Sequence, residues 1–428
     1  MNIVVKPSVL HGSVYMIASK SLSHRYLIGA ALSEEPSMLH GLMESNDIQA
    51  TKNALSNLGA VIDGCSVQGG FPHISNTQIN AGASGSTVRF LIPVALLQDK
   101  PVVFTGEQRL PERSLRAYET LFTAKGYTYE RLTEKHLPVR IGGPLKPGIY
   151  EIGGGVSSQF ISGLLFALPL LDGNSEIRII QPFESRSYVK LTIAVLDSFG
   201  IKIEETTEGF LVPGNQKYQP LDITVEGDYS QAAFFIVAGL IGKQSIKLKH
   251  LNPDSLQGDR RILEIVATMG AKLTWSHQVL EVHPSHTKGT DIDLADIPDL
   301  GPPLMLLAAL SEGTTIFHNI KRLRYKESDR VAAMQQVLNT FGVTNIVSEE
   351  TMTIKGSKTL NGDISLDSYD DHRIAMTVII ASLRCGGDIE LTRAATIEKS
   401  YPDFIDVFKR LGGQVRIKKE GKKDEFNR

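Results

Sequence analysis

The apolar residues of this chain fall into two kinds of helical stretch that alternate along its length. One kind is almost continuously apolar and opens on a small or polar cluster: SKSLSHRYLIGAAL, SGSTVRFLIPVALL, SSQFISGLLFALPLL, GDYSQAAFFIVAGLI, PDLGPPLMLLAAL and DDHRIAMTVIIASL. A helix that is apolar all round predicts burial on every side. The other kind is amphipathic and ends on a glycine followed by a short β-rich run, in NLGAVI, AKGYTYE, SFGIKIE, TMGAKLTW, TFGVTNI and RLGGQVRI. A glycine at that place suits a helix C′ position, whose left-handed backbone is costly for residues with a Cβ.

The two series share one period. The glycines Gly59, Gly126, Gly200, Gly270, Gly342 and Gly412 are 67, 74, 70, 72 and 70 residues apart, and the helix openings Ser19, Ser84, Ser157, Asp228, Asp299 and Asp371 are 65, 73, 71, 71 and 72 apart. Six units of about 70 residues follow, each with one buried helix, one amphipathic helix and several strands. Such units are too long for a solenoid, so two domains of three units are expected, divided near VEGDYS at 225–230.

Composition narrows the classes of partner. With 45 Lys+Arg against 47 Asp+Glu among 428 residues, the net charge of -2 gives no global field for nucleic acid or an anionic membrane. Any anion site must be local. Cys65 and Cys385 stand far apart without metal-ligand spacing, which points to a reducing cytoplasm and to neither a disulfide framework nor structural zinc. The opening MNIVVKPSVLHGSV has no basic and apolar leader pattern, and no apolar run reaches membrane-spanning length. The charged IKKEGKKDEFNR at the other end reads as a strand end and a frayed tail.

Candidate chemistry sits at the helix openings. A helix N-terminus presents unpaired N–H groups and the positive end of the dipole, so small residues there admit an anion. Ser19, Lys20 and Ser21 with Arg25, Ser84 to Thr87 with Arg89, and Ser157, Ser158 and Gln159 after a Gly-Gly-Gly run combine donors with little bulk. Taken singly, each would also serve as an ordinary N-cap. In the second half, RYKESDR puts Lys326 and Arg330 four apart, on one face if helical, with Glu327 beside them; an exposed salt-bridged helix has the same spacing.

These strings, in order, resemble the 5-enolpyruvylshikimate-3-phosphate synthase family. SKSLSHR, SGSTVRFL, GEQRLPERS, SSQF, VEGD, IPD, RYKESDR, DDHRIAM and EKSYPDF carry the resemblance over nearly the whole chain. It implies an α/β fold of two inside-out barrel-like domains with a cleft between them, here 18–226 and 1–17 plus 227–428. It implies transfer of the enolpyruvyl group of phosphoenolpyruvate to shikimate 3-phosphate, by a cytoplasmic monomer needing no metal or organic cofactor and no nucleic-acid or membrane partner.

By the same resemblance, shikimate 3-phosphate is held by Lys20, Ser21, Arg25, Ser157, Ser158, Gln159, Ser185, Tyr188, Asp299 and Lys326. Phosphoenolpyruvate is held by Lys20, Gly85, Arg113, Gln159, Arg330, Arg373 and Lys399. Asp299 is the expected base for the acceptor hydroxyl and Glu327 the expected acid for C3, with Lys326 sharing that work. Glyphosate is expected to compete at Gly85. Ala83 and Phe90 depart from the family's loop, and Arg322 replaces an asparagine whose role is therefore not carried over. Two alternatives stay open on this reading: an enolpyruvyl transferase acting on UDP-N-acetylglucosamine, and an inactive binding protein on the same scaffold. Against the first, Lys20-Ser21 stands where that enzyme has lysine-asparagine, and Cys65 lies outside the GEQRLPERS loop.

Overall fold

The computed structural model describes residues 1–69, 76–155 and 157–418. The frayed tail expected beyond residue 418 lies outside the described residues. Among the described residues, twelve α-helices alternate between the two expected kinds. The buried ones are α1 (Lys20–Leu32), α3 (Gly85–Ala95), α5 (Ser158–Ala167), α7 (Tyr229–Ile241), α9 (Gly301–Ala309) and α11 (His372–Ala381). Between them come α2 (Asn46–Asn57), α4 (Arg116–Ala124), α6 (Arg186–Ser198), α8 (Ile262–Thr268), α10 (Arg330–Thr340) and α12 (Phe404–Arg410).

The six glycines end the second kind of helix as expected. Each has positive φ, between 75° and 109°. After α2, the Gly59 N–H donates to the Ser56 carbonyl and the Ala60 N–H to the Leu55 carbonyl, the paired bonds of a Schellman cap. The same pair of bonds recurs at Gly126, Gly200, Gly270, Gly342 and Gly412. A side chain at any of the six would sit in strained left-handed backbone.

Every unit builds a four-stranded sheet of one topology. In the third, Ile149–Gly153 runs parallel to Ser175–Ile180, which pairs antiparallel with Gly209–Val212, itself antiparallel to Glu204–Glu205. Six sheets repeat this order among the described residues. Three of them borrow strands from elsewhere in sequence. Gly12–Tyr15 completes the sheet of Ile246–Lys249. Asp222–Thr224 completes the sheet of Ser37–His40, and the N-terminal strand Asn2–Lys6 lies between Ile389–Thr392 and Gln414–Lys418.

The chain divides into two compact units, 17–228 with 252–260, and 1–16 with 229–251 and 261–428. In the first, α1, α3 and α5 are almost wholly buried, and the sheets turn one face outward, as in the alternating burial of Ile149–Gly153. Helices α3 and α5 approach closely at Gly163, where a Cβ would lie 2.4 Å from the Arg89 carbonyl oxygen. The buried Tyr118 hydroxyl bolts the pair together, shared between the carbonyls of Arg89 at 2.7 Å and Phe160 at 2.8 Å. Glu226 holds the inserted segment Asn252–Arg260, accepting from Asn252 Nδ2 at 2.6 Å and Gln257 Nε2 at 2.8 Å. In the second unit α7, α9 and α11 pack on one another with every residue buried, and three sheets surround them.

Candidate functional site

In the unit of residues 17–228, three helix openings gather donors and cations. Ser19 caps α1 by accepting the Leu22 N–H at 3.4 Å, so Lys20 is the first helical residue. Its Nζ lies 3.0 Å from the carboxylate of Asp47 in α2, and its backbone N–H donates to Asp228 at 2.9 Å. One turn on, Arg25 is 2% exposed and, among the described residues, donates only to neutral oxygens: Thr192 Oγ1 at 2.8 Å, the Ser21 carbonyl at 2.7 Å and the Tyr188 carbonyl at 3.0 Å. Its guanidinium also stacks 5.1 Å from the Phe90 ring centre. Burial pulls Arg25 down to about 10, which leaves it cationic at neutral pH, a buried positive charge suited to a dianion.

The α3 opening meets the α5 opening. Gln159 accepts from Arg89 Nη1 at 2.8 Å and donates to Ser86 Oγ at 2.8 Å. A Cβ at Gly85 would lie 3.0 Å from both Arg113 Nη1 and Arg89 Nη1. Gly85, Ser86, Arg89, Arg113 and Gln159 thus form one cluster with two guanidinium groups at a helix N-terminus. Ser157 caps α5 by accepting the Gln159 N–H at 3.3 Å, and Ser158 is its first residue. Ser185 adopts φ of 52° just before α6, whose first turn carries Tyr188; the Tyr188 hydroxyl donates to Asp259 at 2.9 Å.

The other unit holds a buried charge network. Arg330 begins α10 at 1% exposed, and its guanidinium serves three carboxylates: Asp371 at 2.8 Å through Nε, Asp299 at 2.8 Å through Nη1 and Glu327 at 2.8 Å through Nη2. Asp371 also caps α11 by accepting the Arg373 N–H at 2.9 Å, so it is both helix cap and ion-pair partner. Arg373 donates to Asp299 Oδ2 and to Ser230 Oγ, each at 3.0 Å, while Lys326 Nζ stands 3.6 Å from Asp299 Oδ1. Burial raises the Asp299 carboxyl, yet Arg373, Lys326 and Arg330 together hold it well below the usual carboxylate range. Burial pulls the Lys326 ammonium down to about 8, with Asp299 opposing and Arg322 adding to the shift. The arrangement pairs a carboxylate held in its ionised form at neutral pH with an amine able to give up its proton in the same range.

Two sequence expectations change. Lys326 and Arg330 do not share a helix: Lys326 ends the 3₁₀ turn Lys321–Tyr325 in extended backbone, and Asp329 caps α10 by accepting the Ala332 N–H at 3.0 Å. A capping aspartate one residue before Arg330 was legible as a helix start and outweighs the spacing. Asp299 makes no cap bond within the 3₁₀ turn Pro298–Leu300 and spends its carboxylate on the cations instead. Lys399 ends the segment Ala394–Lys399, which packs along α11. Sequence reasoning missed Asp47, Thr192 and Ser230, whose partners lie 27, 167 and 143 residues away in sequence. Among the described residues no cluster of His, Cys, Asp and Glu is placed to hold a metal ion, and no helix is long and apolar enough to cross a membrane.

Comparison with known proteins places this geometry in context. The family model described as EPSP synthase (3-phosphoshikimate 1-carboxyvinyltransferase) matches residues 4–408. The protein of that name from Clostridium novyi is 41% identical over 429 residues, spanning 97% of this chain and 98% of the relative. The one from Clostridium acetobutylicum is 43% identical over 425 residues, spanning 97% and 98%. Among solved structures, EPSP synthase from Acinetobacter baumannii superposes with a TM-score of 0.81 at 26% identity, covering 97% of this chain and all of that one. The enolpyruvyl transferase NikO from Streptomyces tendae, at 17% identity and a TM-score of 0.77 over 97% of this chain and 98% of its own, shares the fold.

Proposed function

The chain belongs to the EPSP synthase family, and from that premise we propose how its residues divide the reaction. The reaction transfers the enolpyruvyl group of phosphoenolpyruvate to the 5-hydroxyl of shikimate 3-phosphate and releases phosphate, within aromatic amino acid biosynthesis. The matched names do not favour the UDP-N-acetylglucosamine alternative. Our reading adds a cytoplasmic monomer without nucleic-acid or membrane partner; the free thiols of Cys65 and Cys385 are in keeping with a reducing compartment.

The buried network around Asp299 carries the mechanistic reading. Addition forms a bond from the 5-oxygen to C2 of phosphoenolpyruvate while a proton reaches C3, and elimination expels phosphate as C3 loses a proton. Asp299, ionised before the addition, takes the hydroxyl proton as the C–O bond forms and gives it up to the departing phosphate. Lys326 delivers and recovers the C3 proton, because its ammonium is poised at about 8. Glu327, expected from sequence to be the acid, has Oε2 engaged by Arg330 and serves to orient the network. Arg330, Arg373 and Lys399 stabilise charge on phosphoenolpyruvate and departing phosphate. Lys20, Ser21, Arg25, Ser157, Ser158, Gln159, Ser185 and Tyr188 hold shikimate 3-phosphate together with Asp299 and Lys326. Gly85, Arg113, Lys20 and Gln159 complete the phosphoenolpyruvate contacts. Phosphate release from phosphoenolpyruvate tests the reading: it is expected with shikimate 3-phosphate and absent with UDP-N-acetylglucosamine, and the reverse pattern overturns it.

A pH dependence follows. The working form of Lys326 is the ammonium, so kcat/KM is expected to fall as pH rises through about 8. Bound dianions favour the ammonium, so the limb in kcat lies at higher pH. Lys326→Arg removes the limb near 8, and an unchanged limb in that variant assigns it elsewhere. A separate expectation concerns Gly85, where an added methyl lies 3.0 Å from two guanidinium groups. Gly85→Ala is expected to raise KM for phosphoenolpyruvate about tenfold while KM for shikimate 3-phosphate stays within about twofold. Steady-state kinetics with each substrate varied decides it, and an unchanged phosphoenolpyruvate KM removes the steric argument.

A further inference from the structure

Four buried side chains on three helices form a continuous chain of hydrogen bonds that the mechanism above does not use. His24 Nδ1 lies 2.8 Å from Thr51 Oγ1, Thr51 Oγ1 lies 2.6 Å from Thr87 Oγ1, and the Thr87 hydroxyl donates to Ser84 Oγ at 2.8 Å. All four residues are at most 1% exposed. They run from α1 through α2 to the cap of α3.

Counting protons fixes the direction. Each hydroxyl has one proton to give. Thr87 spends its proton on Ser84, so Thr51 is the donor in the 2.6 Å bond to Thr87. The Thr51 contact with the Asp47 carbonyl, at 3.4 Å, is the longer alternative for that proton. With the Thr51 proton committed, His24 must donate through Nδ1, which leaves Nε2 as a bare lone pair; buried Nε2 has no hydrogen-bond partner among the described residues. Burial lowers His24 to about 3, with Asp47 opposing and Lys20 and Arg25 adding, so the ring is neutral and has one N–H to place.

The far end of the chain is Ser84. Its Oγ accepts twice from Thr87, through the backbone N–H at 3.2 Å and the hydroxyl at 2.8 Å, which commits its own proton to an outside acceptor. A hydroxyl that accepts becomes a better donor. Ser84 directly precedes Gly85, beside the Arg89 and Arg113 guanidinium groups. We propose that this directed chain presents the Ser84 hydroxyl as a hydrogen-bond donor to the phosphoenolpyruvate anion, making Ser84 a substrate ligand and His24, Thr51 and Thr87 positioning residues. The proposal rests on the reading that phosphoenolpyruvate binds at the start of α3.

Thr87→Val is the discriminating change, because it keeps the shape and the backbone bond that caps α3 while cutting the chain. It is expected to raise KM for phosphoenolpyruvate roughly five- to tenfold, with kcat and KM for shikimate 3-phosphate within about twofold, and Thr87→Ser restores the wild-type value. A purely structural threonine would move stability and both KM values together. Nitrogen-15 NMR of the wild-type protein gives a readout independent of turnover: His24 is expected to carry its proton on Nδ1 and to stay neutral from pH 5 to 9, and Thr51→Val is expected to shift the proton to Nε2. An Nε2–H tautomer in the wild type, or an unchanged phosphoenolpyruvate KM in Thr87→Val, overturns the proposal. Loss of wild-type turnover with the Nδ1–H tautomer intact overturns instead the functional reading on which it rests.

Discussion

Asp299→Asn is expected to slow turnover by about 10²-fold or more while both KM values stay within about tenfold. The amide keeps the shape of the side chain and one acceptor oxygen, so Arg330 retains a partner at the position now 2.8 Å away. What disappears is the ability to receive the hydroxyl proton. A second consequence separates this loss from general disruption. The Asp299 charge raises the Lys326 ammonium against the lowering by burial, so removing it lets the ammonium titrate at lower pH. The basic limb of kcat/KM therefore moves below its wild-type position in the variant. Turnover near wild type, or an unmoved limb, would take Asp299 out of the proton path.

The second large effect falls on stability. Arg330→Met leaves Asp299, Glu327 and Asp371 without the guanidinium that serves all three, at a position 1% exposed. Stranding buried carboxylates is expected to cost about 3–5 kcal/mol, far more than a surface pair would lose. Arg330→Lys restores a charge but not the fork that reaches three carboxylates, and recovers only part of that loss. Equilibrium urea denaturation of the three proteins measures it. A loss under about 1 kcal/mol for Arg330→Met would mean that the carboxylates find other partners.

The fold was legible wherever the chain repeats itself. Each helix-ending glycine is weak evidence alone, but six at one period announced the units, and all six carry the same cap bonds. The burial of α7, α9 and α11 followed from stretches with no polar face. The borrowed strands were not legible, because Asn2–Lys6 takes its partners from 389–392 and 414–418, a relation that leaves no local pattern. The site was legible through its motifs and illegible in its partners. Arg25 reads as a cation after SKS, yet the threonine that orients its Nε lies 167 residues on. Asp47 reads as an ordinary first-turn carboxylate of α2 until Lys20 is seen 3.0 Å from it. Lys326 was misplaced because spacing was read through a helix that Asp329 starts only afterwards.

The central claim is that Asp299 and Lys326, in a network that Glu327 orients, move protons during addition and elimination at the enolpyruvyl group. Running the reaction in heavy water with shikimate 3-phosphate, and reading the C3 methylene of the product by NMR and mass spectrometry, tests it most directly. Protonation at C3 followed by loss of one of three hydrogens predicts deuterium in the product methylene for the wild type and a large fall in its rate of appearance for Lys326→Met. A wild-type product formed at full rate with no deuterium at C3 would contradict the account.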